Sequence, residues 1–186
     1  MNQTDFRILA IAPSTRGFGF VVIEGERDLI AWGGRVARGD KNAQSLAKVE
    51  KLMGLYRPSV VVLQDAAGKD SRRALRIKTL NQQIIAAAGK RKVKVALLTG
   101  KQLRTLLLGN AAGTKQEMAE TVAKCFPERL ASRPPRKRRP WMNEDGRMDV
   151  FDAAALAVAF RVRKRGWRAS GTRTTSGPAV GASATT

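Results

Sequence analysis

The chain has 186 residues, 35 of them lysine or arginine and 15 aspartate or glutamate, for a formal net charge of +20, and 43% of it is hydrophobic. That length suits one domain with extensions, and the apolar share is too large for a wholly disordered polyelectrolyte. With no histidine and one cysteine, the sequence excludes Ser-His-Asp triads, Cys-His dyads, histidine metal sites, zinc ribbons and an internal disulfide.

The opening is strand-rich. Residues 6–12 (FRILAIA), 17–24 (GFGFVVIE) and 29–36 (LIAWGGRV) are apolar, aromatic or β-branched runs separated by short turns, which predicts an antiparallel meander. Residues 42–56 then place Leu46, Val49, Leu52, Met53 and Tyr56 at helical spacing, and Pro58 stops that helix. Residues 59–63 (SVVVL) are almost wholly apolar, as in a central strand covered on both faces.

Residues 71–88 predict a long helix with Leu75, Ile77, Leu80, Ile84 and Ile85 inward, stopped at Gly89. A strand over 93–98 and helices over 101–108 and 115–126 follow, the second helix entered through Gly113 and Thr114 as its cap. Prolines and basic residues make 132–143 a loop. Residues 148–163 form an alanine-rich last helix, and 164–186, rich in Gly, Ser and Thr, bury too little to offset their conformational entropy and read as a disordered tail. The order implies an α/β domain over 1–163: a mixed sheet with an antiparallel three-strand start, then parallel strands, flanked by helices.

The charge is not uniform. Residues 1–64 are nearly balanced, and the excess lies beyond them, densest at 69–78 (KDSRRALRIK), 90–94 (KRKVK), 133–139 (RPPRKRR) and 161–168 (RVRKRGWR). Several such stretches in one small chain point to a polyanionic partner, because lysine and arginine release the counterions condensed on phosphate chains. Nucleic acid is the expected partner. No apolar run reaches the roughly 18 residues that span a bilayer, and the opening lacks a basic segment followed by a signal-type stretch. The expectation is a soluble cytoplasmic protein associated with the nucleoid, with no membrane partner.

The acidic pair Asp149 and Asp152, in MDVFDAAALAVAF, carries the candidate chemistry. At a spacing of three the two share a helical face. Asp152 runs into an almost purely apolar stretch, where a carboxylate needs a cation nearby, either a metal ion or a basic side chain. Asp149 also suits a helix start, where the macrodipole favours negative charge.

Read with this pair, residues 8–20 (ILAIAPSTRGFGF), 58–66 (PSVVVLQDA) and 147–159 (RMDVFDAAALAVA) resemble, in order, the first strand and turn, the central strand and the last helix of RuvC-type Holliday-junction resolvases of the RNase H-like superfamily. The resemblance runs from about residue 7 to 160. It implies four carboxylates that hold two divalent ions, Mg²⁺ or Mn²⁺, for phosphodiester hydrolysis in four-way DNA junctions by a homodimer. Asp149 and Asp152 match the two carboxylates of the last helix. Ala12 stands where the first strand should carry aspartate, and Gln64 where the central strand should carry glutamate. These departures remove two negative charges, so a two-ion site is not expected and cleavage should be silenced or impaired.

Residues 104–115 (RTLLLGNAAGTK) are similar to the segment that sets basic groups beside the scissile phosphate, which implies a catalytic-site role for Lys115. Where resolvases tend to place an aromatic at the junction centre, this chain has DAAGKDSRR. The expected DNA contacts are Lys69, Arg72, Arg73, Arg76, Arg104, Lys115, Arg136, Lys137, Arg138 and Arg139. Two other readings stay open: an active divalent-metal endonuclease that completes its site with Asp149, Asp152 and a rearranged Asp65 or Asp70, and a non-catalytic packaging protein that shares only the scaffold.

Overall fold

Three consecutive strands, β1 (Arg7–Pro13), β2 (Gly17–Glu24) and β3 (Asp28–Val36), form the predicted meander. The register of β1 on β2 runs from Arg7 opposite Glu24 to Pro13 opposite Phe18. β4 (Val60–Gln64) adds parallel to β1, and β5 (Lys94–Leu98) adds parallel to β4, giving the order β3-β2-β1-β4-β5. Helices α1 (Lys41–Tyr56), α2 (Leu75–Lys90), α3 (Gly100–Leu108), α4 (Lys115–Cys125) and α5 (Met148–Arg165) complete the chain. The computed structural model describes residues 6–25, 27–66, 75–131, 135–136 and 145–165.

Alternation along the strands sorts the core into two layers. Ile8, Ala10 and Ala12 of β1 and Val60 and Val62 of β4 pack with α3, α4 and α5. Leu9, Ile11, Val61 and Leu63 pack with α1 and α2. Because both faces are covered, β1 and β4 read as continuous apolar runs.

Helix α5 is the centre of the first layer. Every residue from Ala153 to Phe160 is at most 3% exposed, since α5 lies on the sheet and beneath α3 and α4. A helix enclosed in this way is apolar all round, and its alanines let the backbone come close to the strands.

Several boundaries differ from expectation. Gly89 does not stop α2, which runs to Lys90, and the chain reverses at Arg91 and Lys92, where Lys92 takes a positive φ. Leu75 is 79% exposed rather than inward, because it is the first residue of α2 and stands outside its packed stripe. Helix α1 ends before Pro58: Arg57 takes the left-handed conformation and donates its N–H to the Met53 carbonyl, so the proline follows the stop. Residues 71–74 of the predicted long helix, most of 132–143 and nearly all of 164–186 lie outside the described residues. Among the described residues no helix is long and apolar enough to cross a membrane.

Candidate functional site

The site lies where β1 and β4 end and α5 begins. Ile11 pairs with Leu63 across the two parallel strands, so the next step of the register sets Ala12 beside Gln64. Ala12 also faces Gly19 of β2. Gly19 permits the approach of the helix: a Cβ there would overlap the Asp149 carbonyl and crowd the Val150 amide. The first turn of α5 therefore rests directly on the sheet, and Asp149 and Asp152 come to the edge that holds Ala12 and Gln64.

The entry to α5 is pinned by Asp145. Its carboxylate accepts from the Arg147 guanidinium at 2.8 Å, from the Arg147 amide at 3.0 Å and from the Arg136 amide at 3.1 Å. Chiefly through the Arg147 guanidinium, these donors hold the Asp145 carboxyl well below the usual carboxylate range, against the opposing effect of burial.

Lys115 reaches the site from the first position of α4. Thr114 caps that helix: its hydroxyl accepts from the Glu117 amide, and the Glu117 carboxylate accepts from the Thr114 amide at 2.7 Å, a capping box. The backbone and side-chain bonds to Thr114 hold the Glu117 carboxyl below its ordinary value. With α4 so fixed, Lys115 Nζ lies 3.0 Å from Asp152 Oδ2, the lysine side chain 48% exposed and the aspartate side chain 20%. The cation that Asp152 requires is thus a lysine ammonium.

Gln64 ends β4 on the face of Val60 and Val62. Its side-chain amide lies beside Gly100, where a Cβ would stand 3.1 Å from Nε2 and 3.7 Å from the Arg104 guanidinium. Arg104 Nε donates to the Ala111 carbonyl at 2.7 Å, tying α3 to the loop before α4. Two carboxylates, a lysine, an arginine and a neutral amide therefore share one end of the sheet, around a position that Ala12, 3% exposed, fills with a methyl group.

This donor set does not fit a pair of divalent ions. Such ions require several hard oxygen ligands carrying negative charge. Among the described residues no three side chains of the His, Cys, Asp or Glu type come together, and Asp152 is ion-paired to Lys115. The Asp65 amide donates to the Leu98 carbonyl at 2.8 Å, the last bond of the parallel ladder, and β4 ends at Gln64. Asp70 lies outside the described residues.

Of the expected DNA contacts, Arg104 and Lys115 belong to this edge. Arg136 is exposed, with its amide held by Asp145. Arg76 is half-buried: its guanidinium donates to Asn42 Oδ1 at 3.0 Å and to the Ser14 carbonyl, clamping α2 to α1 and to the turn after β1. Lys69, Arg72, Arg73, Lys137, Arg138 and Arg139 lie outside the described residues. Sequence reasoning missed Gly19, Gly100 and Asp145. It also passed over Glu117, although Thr-x-x-Glu is a readable capping signal.

No protein-family model matches the chain, and no curated protein matches it. Solved structures do. Thermus thermophilus RuvC superposes with a TM-score of 0.65 at 17% identity, over 87% of this chain and 97% of that one. T. thermophilus RuvC in complex with Holliday junction substrate gives 0.64 at 18% identity, over 87% and 96%. The yeast mitochondrial Holliday junction resolvase gives 0.52 at 14% identity, over 84% and 78%. At these identities the likeness establishes the fold: the chain has the RNase H-like, mixed-sheet architecture expected from its sequence.

Proposed function

We propose that this chain is a RuvC-like, structure-specific DNA-binding protein that holds four-way or other branched DNA and does not cleave it efficiently. The observation that carries this reading is the Lys115–Asp152 pair beside Ala12 and Gln64. An edge with this fold that has lost two acidic positions, and has a lysine on one of the two that remain, is suited to contact phosphate rather than to assemble metal ions. Binding is phosphate-dominated and falls steeply with salt. Lys115 and Arg104 supply the contacts at this edge, and Lys69, Arg72, Arg73, Arg136, Lys137, Arg138 and Arg139 are the other basic residues assigned to phosphate in this reading.

The likeness to solved Holliday junction resolvases, one of them in complex with its junction substrate, supports DNA as the partner class. A homodimer would present two such edges to a symmetric branched substrate, and a site among nucleoid DNA in the cytoplasm suits the charge. A divalent ion, Mg²⁺ or Mn²⁺, belongs to this reading as the group that the fold's active members would need and that this chain's donors would hold weakly or not at all.

The test is a gel assay of the full chain on a labelled four-way junction and a matched duplex, with Mg²⁺ or Mn²⁺, beside a variant carrying Ala12→Asp and Gln64→Glu. The expected result is that both proteins prefer the junction and only the restored variant cuts it. Cutting by the parental chain would overturn the silenced-site reading, and equal affinity for junction and duplex would overturn structure specificity.

A further inference from the structure

The basic stretch at 90–94 has no part in the edge described above. It lies at the other end of the sheet, where β4 and β5 begin: Val60 pairs with Lys94, Lys90 ends α2, and the turns that lead into those strands carry Arg57, Arg91 and Lys92. All five basic side chains are exposed. Of the acidic groups described at this end, Glu50 takes Arg91 at 3.3 Å and Glu24 takes Arg7 at 2.5 Å, while Asp28 opens β3, at the opposite edge of the sheet from β5. Helix α2, 16 residues long, runs from the candidate-site end to this one, a distance of about 24 Å at 1.5 Å per residue.

Backbone conformation separates this patch from an ordinary solvated surface. Among the described residues, Arg57 (φ 43°) and Lys92 (φ 56°) are the two non-glycine residues with left-handed φ. Both belong to this patch. The chain places glycine in left-handed turns elsewhere, at Gly25, Gly39 and Gly109. Gly109 and Arg57 make the comparison direct. Each is the left-handed residue that closes a helix and returns its N–H to the last turn, a position where glycine is favoured because it lacks a Cβ. Twice at one end of the sheet, a long cation stands where glycine would be less strained. Backbone strain of this kind points to a use for the side chain.

We propose that Arg57, Lys90, Arg91, Lys92 and Lys94 form a second nucleic-acid surface that takes the phosphate backbone of a duplex segment other than the one held at the candidate site, so that one chain bridges two segments. The choice of DNA rests on the reading given under Proposed function. In the 90–94 segment Val93 is half-buried beneath exposed cations, so the segment offers charge without an apolar face to insert into a bilayer.

The experiment immobilises one duplex on beads, loads the full chain and measures retention of a second, labelled duplex, with salt titrations of simple binding in parallel. Three proteins are compared: the parental chain, Arg57→Gly with Lys92→Gly, and the charge-preserving Arg57→Lys with Lys92→Arg. The glycine pair is expected to melt at the same or a higher temperature, to retain the first duplex and to lose at least tenfold in capture of the second. The charge-preserving pair is expected to bridge like the parent. If bridging contacts are scored in the salt titration, each lost phosphate contact lowers the slope by about 0.9.

Unchanged bridging by the glycine pair overturns the proposal, and that is also what bridging by dimers through the candidate-site edge would give. A fall in melting temperature overturns it as well, because the two residues would then be structural. A parental chain that binds one duplex and never captures a second overturns it and leaves the proposed function standing. A parental chain that binds neither duplex nor four-way junction overturns both, and one that binds the junction but sediments with anionic vesicles through these residues overturns this proposal alone.

Discussion

Lys115 of α4 and Asp152 of α5 meet across the interface of their helices at 3.0 Å, with the carboxylate four-fifths covered and the ammonium half in water. The asymmetry sets the cost of breaking the pair. Lys115→Ala takes the ammonium away from a mostly covered carboxylate one turn from Asp149 and should cost about 1–3 kcal/mol. Asp152→Asn leaves an ammonium that can turn to solvent and should cost less than about 1 kcal/mol. Urea unfolding of both single variants and the double variant measures this, with a coupling energy of about 1–2 kcal/mol expected from the cycle. Equal costs for the two single changes would contradict the assigned exposure.

Gly19→Ala tests how α5 is seated. The added Cβ meets the Asp149 backbone, which cannot rotate away as a side chain can, so the first turn of α5 must lift. A loss of about 1–3 kcal/mol is expected, in the range of overpacked cores. Gly34→Ala on β3, where the added carbon meets nothing within 4 Å, should stay within about 0.5 kcal/mol of the parent. Thermal melts of the two variants side by side check both statements.

These two glycines also mark the limit of what the sequence reveals. The strands and helices were legible because their apolar residues recur at periods of two and 3.6, and even the doubly covered nature of β4 followed from SVVVL. Asp149 and Asp152 were legible as a pair, as was the need of Asp152 for a cation. The identity of that cation was not, because Lys115 lies 37 residues away and only the packing of α4 on α5 brings it near. Gly19 and Gly34 look alike in the sequence, and what distinguishes them is a backbone that approaches from α5. Leu75 misled for a related reason: helical spacing assigned it to a stripe that begins at Ile77.

Ala12→Asp should destabilise the chain on its own. The position is 3% exposed, and a carboxylate there is both poorly solvated and close to Asp149, so a loss of about 2–4 kcal/mol is expected without divalent ions. With Gln64→Glu added, the edge gains enough charge to attract a divalent cation, and Mg²⁺ should raise the melting temperature of that double variant through linkage. The parental chain should melt at the same temperature with and without Mg²⁺. A thermal-shift titration reads all three cases without any substrate, and a Mg²⁺-dependent shift in the parental chain would show that its present donors already hold an ion.

Acid should loosen the start of α5 before it unfolds the rest. The Asp145 carboxyl is held well below the usual carboxylate range, chiefly by the Arg147 guanidinium and further by the Arg147 and Arg136 amides. A depressed folded-state value means that the unfolded chain takes up this proton first as pH falls. The stabilisation from Asp145 is therefore complete above the ordinary aspartate value of 3.8 and is lost progressively as pH drops from there towards the folded-state value. Asp145→Asn removes the charge and should cost about 1.5–3 kcal/mol at neutral pH, the range for hydrogen bonds to an ionised group. It should also flatten the dependence of stability on pH below about 4. Glu117, held low by Thr114 on an exposed helix start, titrates in the same direction, but solvent screens it, so Glu117→Gln should leave most of the acid slope in place. Urea midpoints collected from neutral pH down to the acid limb for the parent and the two variants give the comparison, and a slope that survives Asp145→Asn intact would place the acid-sensitive contact elsewhere in the chain.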